Sequence, residues 1–183
     1  MCVEEYVIVT DAAEREQRLL ADYAEPQGGN DCCNDIPERI TDIMNEKTLP
    51  RGMRNRNPGN IRRSKTKYLG EVAPSRDAAF KQFETMAWGY RAMSVLLDSY
   101  SRNGYRTIRQ MISRYAPPIE NHTENYIRCV AVWSGIGADE PLDTKAGEMM
   151  IPVVAAMSRV ENGRPAVLSD VEAGWMLYLQ HKP

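Results

Sequence analysis

Long apolar runs are missing from this chain. No stretch approaches the roughly eighteen apolar residues of a membrane-crossing helix. The opening Met-Cys-Val-Glu-Glu-Tyr-Val-Ile-Val-Thr is acidic, and its apolar run is too short for a secretory signal. Cytoplasmic synthesis without membrane insertion is therefore expected. Paired cysteines are missing too. Cys2, the neighbours Cys32 and Cys33, and Cys129 match neither zinc-ligand spacing nor a secreted disulfide framework, so reduced thiols are expected. His122 and His181 have no neighbours at metal-ligand spacing, and no glycine-rich phosphate cradle occurs. No metal and no cofactor are expected, and there is no internal repeat.

What is present is an ordinary globular composition with an uneven charge. The 183 residues are long enough to bury a real core, and 43% apolar with 26% charged residues argues against disorder or fibres. Residues 1–50 carry 12 acidic and 4 basic side chains, a net −8, whereas residues 51–183 carry 13 acidic and 19 basic, a net +6. That division predicts an acidic N-terminal arm over 1–50 and a basic body over 51–183, the latter suited to polyanionic partners such as cell-wall polymers or nucleic acid.

Within the arm, residues 11–24 read as a charged helix and Pro37 to Lys47 as a short one, separated by a Gly-Gly-Asn-Asp-Cys-Cys-Asn-Asp loop. From Arg51 to Lys67 come seven basic residues and no acidic one, with Asn55, Asn57, Pro58, Gly59 and Asn60 favouring a looped backbone. Short strands are expected around Ile61 and Ala79 to Phe83. Helical periodicity then takes over. Met86, Tyr90, Met93, Leu96, Leu97 and Tyr100 mark a helix over 86–101, and Ile108, Met111 and Ile112 mark another over 107–115, ended by Pro117-Pro118. Thr123 is the expected cap of a helix running to Ser134 and closed by Gly135. Asp143 or Thr144 should open a long helix to Glu161-Asn162-Gly163, with Pro152 either a kink or the mark of its first turn. Ser169-Asp170-Val171-Glu172 reads as a capping box for the last. The expected class is mainly α with a small β element, preceded by the acidic helical arm.

The segment Arg54-Asn55-Arg56-Asn57-Pro58-Gly59-Asn60-Ile61-Arg62 is followed by Leu69-Gly70, Phe80-Lys81-Gln82-Phe83 and Trp88-Gly89-Tyr90-Arg91-Ala92. Thr107-Ile108-Arg109, Tyr115-Ala116-Pro117-Pro118, Glu120-Asn121 and Thr123-Glu124-Asn125-Tyr126-Ile127 continue the series. Together these resemble a family of phage and prophage proteins described as virion structural or lysozyme-like, over roughly residues 51 to 163. The Asn-rich stretch is also similar, more distantly, to a segment that lines the glycan cleft of peptidoglycan glucosaminidases. In those enzymes a catalytic glutamate ends a helix preceding the stretch. Here the nearest match, Glu161-Asn162-Gly163, follows it, which implies a permuted order with Glu161 as the acid.

The resemblance implies a lysozyme-like domain acting on peptidoglycan glycan strands, as a glycosidase or as a lytic transglycosylase, which works with one glutamate. Without an export signal, delivery would be through a holin-type pore or by incorporation into a virion beside other virion proteins. Glu161 is the first candidate acid and Glu84 the second, with Glu120 and Glu124 behind them. Asn57, Asn60 and Asn121 offer amides suited to acetamido and hydroxyl groups, and Tyr115 and Tyr126 resemble cleft-shaping tyrosines. Each has a plainer explanation. Glu161-Asn162-Gly163 can be a glycine-capped helix end, Glu84 a helix-dipole partner, the asparagines turn formers, and Trp88, Trp133 and Trp175 core residues. A catalytically inactive virion structural or wall-binding protein with the same fold is the main rival function. Nucleic-acid binding is disfavoured because the basic stretch lacks interleaved aromatics.

Overall fold

A computed structural model describes residues 49–117 and 122–182. The arm helices expected over 11–24 and 37–47, and the candidates Glu120 and Asn121, lie outside the described residues. Among the described residues six helices follow one another: α1 Arg51–Arg54, α2 Met86–Arg102, α3 Ile108–Tyr115, α4 Thr123–Ser134, α5 Gly147–Asn162 and α6 Leu168–Gln180. The class is mainly α, and no extended strand forms among the described residues. The small β element is reduced to isolated antiparallel bridges, Arg62 with Phe80, Glu71 with Phe83 and Thr107 with Pro141.

Helix α2 starts because the Thr85 hydroxyl accepts from the Trp88 amide at 3.3 Å, and α3 because Thr107 does the same for Gln110. Of the apolar positions of α2, Tyr90, Met93, Leu97 and Tyr100 are buried, whereas Met86 and Leu96 are half-buried. They meet α6, which packs on α2 more extensively than any other pair of helices do. Gly174 permits that approach, since a side chain there would strike Tyr90 and the Ala87 carbonyl. Helices α4 and α5 pair behind them, contributing Ile127, Val130, Val153, Val154 and Met157 to one continuous core. Each such side chain contributes about 1.5–3 kcal/mol by leaving water. Trp175 joins this core, whereas Trp88 and Trp133 are only half-buried.

Three helix starts differ from the sequence reading, and each has a physical reason. Thr123 is the first residue of α4, and its hydroxyl donates to the Ala116 carbonyl at 2.7 Å, tying α4 to the end of α3. Thr144 donates to the buried Asp98 carboxylate at 3.0 Å, so α5 opens later, at Gly147, and Pro152 lies within it. Val167 precedes α6 without any side-chain cap, so Ser169 falls inside the first turn and the capping box does not form. Helix ends match glycine better: Gly135 and Gly163 adopt φ 73 and φ 64 after α4 and α5.

Residues 55–85 are organised differently, by side chains bonded to backbone. Asn57 is fully buried, accepts from the Ile61 amide at 2.9 Å, and donates to the carbonyls of Ile61 at 2.9 Å and Lys81 at 3.0 Å. Lys81 is itself 0% exposed, its ammonium bonded to Glu71 at 3.1 Å and to the Thr66 carbonyl at 2.7 Å. Asp77 takes two hydrogen bonds from Arg51, one from Asn55 and others from the amides of Ala79 and Phe80. Partial burial works to raise the Asp77 carboxyl, but these donors outweigh it and hold the group well below the ordinary carboxylate range.

Candidate functional site

Glu161 occupies the last turn of α5 and is 7% exposed. Both of its carboxylate oxygens are engaged. The Tyr126 hydroxyl donates to Oε1 at 2.9 Å, and Nδ2 of Asn60 donates to Oε2 at 2.9 Å. Tyr126 comes from the inner face of α4, which runs alongside α5. Asn60 comes from the loop after α1, where its backbone amide closes a turn on the Asn57 carbonyl at 2.9 Å. Its φ of 48 lies in the left-handed region, which asparagine tolerates better than most residues.

Tyr115, at the end of α3, completes the group. Its hydroxyl donates to the Gly59 carbonyl, and its ring meets that of Tyr126 edge-on, 6.2 Å between centroids. Gly59 is needed here because a side chain would run into the Tyr115 hydroxyl and Met93. Positions 60 and 126, from two separate segments, thus meet on the carboxyl of residue 161, with Tyr115 from a third holding both the loop and the Tyr126 ring.

The remaining candidates stand apart. Asn57 has both ends of its amide engaged by backbone, and this makes it an anchor of the loop that presents Asn60. Glu84 is exposed, next to the Thr85 cap of α2, with its amide bonded to the Gly70 carbonyl at 2.9 Å. No hydrogen bond joins it to Glu161 among the described residues. Glu124 pairs with Arg109 at 2.8 Å on the surface. Burial pushes the Cys129 thiol up, against a weaker pull from Arg128 and Arg159. Burial likewise raises the Tyr90 phenol, whose oxygen lies 3.1 Å from Ser158 Oγ. No group of three or more histidine, cysteine or acidic side chains placed to hold a metal ion occurs among the described residues.

No family model matches the chain. Over 135 residues it is 36% identical to protein P5 of Pseudoalteromonas phage PM2, a match spanning 70% of this chain and 82% of the phage protein. The chain belongs to the P5 family. Kinship with a phage protein agrees with the coarse part of the resemblance carried by Arg54 to Arg62. The P5 name states no reaction, and so the chemistry has to be argued from the carboxyl group itself.

Two residues of this P5 family member matter to the site and had been given no role from sequence. Asn162, adjacent to Glu161, donates to the Pro58 carbonyl at 2.8 Å and to the Ser158 carbonyl at 2.9 Å, pinning the Asn-rich loop to the end of α5. Gly52 in α1 lies against this junction, where any side chain would collide with Asn162 and with the Asn57 carbonyl. The available signals were an asparagine beside the candidate acid and a glycine in a helical turn.

Proposed function

We propose that residues 51–183 form a lysozyme-like domain that cleaves peptidoglycan glycan strands, as a glycosidase or lytic transglycosylase, with Glu161 as the acid. Residues 1–50 would be a separate acidic arm. The observation that supports this reading is the convergence on Glu161: an acidic side chain ending a helix, bonded by a tyrosine from one helix and an asparagine from a distant loop. Cleaving a glycosidic bond requires a carboxylic acid beside the leaving oxygen, and one glutamate suffices where the sugar's own hydroxyl completes the reaction. Asn60, Tyr115 and Tyr126 would border the sugar, with Asn57 supporting them and Asn121 a further contact from the segment between α3 and α4. The protein would act from the virion or be released to the wall at lysis.

A second reading keeps the fold and drops the reaction, leaving a virion structural or wall-binding protein. It is favoured by the burial of Glu161. Incubating the protein and its Glu161→Gln variant with isolated peptidoglycan, and analysing soluble fragments by mass spectrometry, separates the two. The enzyme reading expects fragments from the unaltered protein and at least about a 100-fold loss in the variant. Equal release by both moves the acid to Glu84, checked with Glu84→Gln. Retained wall binding with no fragments from either establishes the second reading.

A further inference from the structure

Two buried carbonyl oxygens beside Glu161 have no hydrogen-bond partner, Oδ1 of Asn60 and Oδ1 of Asn162. In each amide the nitrogen is engaged, that of Asn60 on Glu161 Oε2 and that of Asn162 on the Pro58 and Ser158 carbonyls. The two oxygens converge on one place, since a side chain added to Gly52 would meet both of them. A buried acceptor left without a donor costs about 1–3 kcal/mol. Two of them reaching the same glycine, next to a titratable group, point to a second arrangement in which both are satisfied.

We propose that Asn60 and Asn162 are positioning residues for the protonated form of Glu161. When Oε2 takes a proton, the Asn60 amide turns over, its carbonyl accepts the new O–H, and its NH2 is delivered to Oδ1 of Asn162. An amide keeps its shape on turning over and only exchanges donor for acceptor. One proton from solvent is added to Glu161, and no other group changes charge. Tyr126 donates to Oε1 in both states.

Other titratable groups around the carboxyl do not replace this role among the described residues. From α3 comes Tyr115, bonded to Gly59; from α2 comes Tyr90, which meets Ser158 one turn earlier; from α6 comes Asp170, which acts on Tyr90. Arg159 of α5 lies 4.0 Å over the Trp133 ring, Cys129 of α4 is a buried thiol, and α1 brings the uncharged Gly52. The inference deepens the reading of Glu161 as an acid, because an acid must be held protonated before it can donate. Its test needs no substrate.

The full chain is titrated by NMR, following the Glu161 carboxyl carbon, assigned by its loss in Glu161→Gln, and the Asn60 side-chain amide, assigned by its loss in Asn60→Gly. Asn60→Gly suits the purpose because glycine adopts the left-handed φ of this position without strain. The expected result is an Asn60 amide that changes at the same midpoint as Glu161, with a Glu161 midpoint unchanged or lower in Asn60→Gly. An amide that only donates to the carboxylate gives the opposite sign: its removal raises the midpoint, by about one pH unit or a tenfold gain in proton affinity. Such a rise, or an Asn60 amide indifferent to the Glu161 titration, overturns the proposal. Protein that shows the linkage but cuts no glycan removes the enzyme reading and leaves this one standing, and active protein without the linkage does the reverse.

Discussion

The helices α2 to α6 and the looped segment 55–85 are built on opposite principles. In the helical part, many apolar side chains share one core, and each contributes a modest amount that neighbours can partly replace. In the looped part, a few polar side chains each hold several backbone groups: Asn57 holds three, and Lys81 with Glu71 anchors the turn at Thr66. The difference teaches where each region is vulnerable. Apolar packing degrades gradually, whereas a buried polar anchor fails all at once, because its partners are left without water or a substitute. The candidate site lies on the seam, taking Glu161 from one region and Asn60 from the other.

The sharpest break of that comparison is Lys81→Met, which takes from Glu71 its buried cation, leaves it only the exposed Lys67 at 4.0 Å and the Tyr68 amide, and should cost about 3–5 kcal/mol in denaturant unfolding. Adding Glu71→Leu should restore most of the loss, and a double variant as unstable as the single one would refute the account. Next comes Asn57→Ala, expected to cost about 3 kcal/mol by stranding buried backbone groups of residues 61 and 81. Its local signature should be faster amide hydrogen exchange over 55–62, with α2 and α6 unchanged.

Asp77→Asn should cost about 2 kcal/mol at neutral pH, and its effect should depend on pH. The folded protein holds this carboxyl below its ordinary value of 3.8, so its contribution is complete above that pH and is lost as pH falls beneath it. The variant should therefore lie parallel to the parent above pH 5 or so and converge with it in acid; a constant gap down to the lowest pH would contradict the assignment. Leu97→Met marks the small end. This volume-conserving change in the helical core should cost less than about 1.5 kcal/mol, and a larger loss would mean that the two regions are not so different.

The same contrast explains what could be read from the sequence. Helices α2 to α6 were legible because apolar spacing near 3.6 residues reflects burial directly, and Gly135 and Gly163 mark their ends. Their starts were less legible. Thr144 and Ser169 look like caps locally, yet Thr144 is taken by Asp98, two helices away, and Ser169 falls inside a turn already begun. The stretch 51–67 was recognisable as mostly looped, but its first four residues form α1, and nothing local announces that Lys81 is buried. Of the asparagines, the pattern could not separate Asn57, which serves the backbone, from Asn60, which faces Glu161. That distinction depends on which way a loop is folded against a helix a hundred residues later.

The pairing of α2 with α6 has a consequence for how the protein is made. Residues 86–102 find their main partner only in residues 168–180, and Asn60 meets Glu161 across 101 positions. During vectorial synthesis α2 leaves the ribosome with its apolar face uncovered and waits for α6. Chains interrupted before residue 168 lack the helix that closes the core, so a nascent chain cannot carry a finished site ahead of a finished fold.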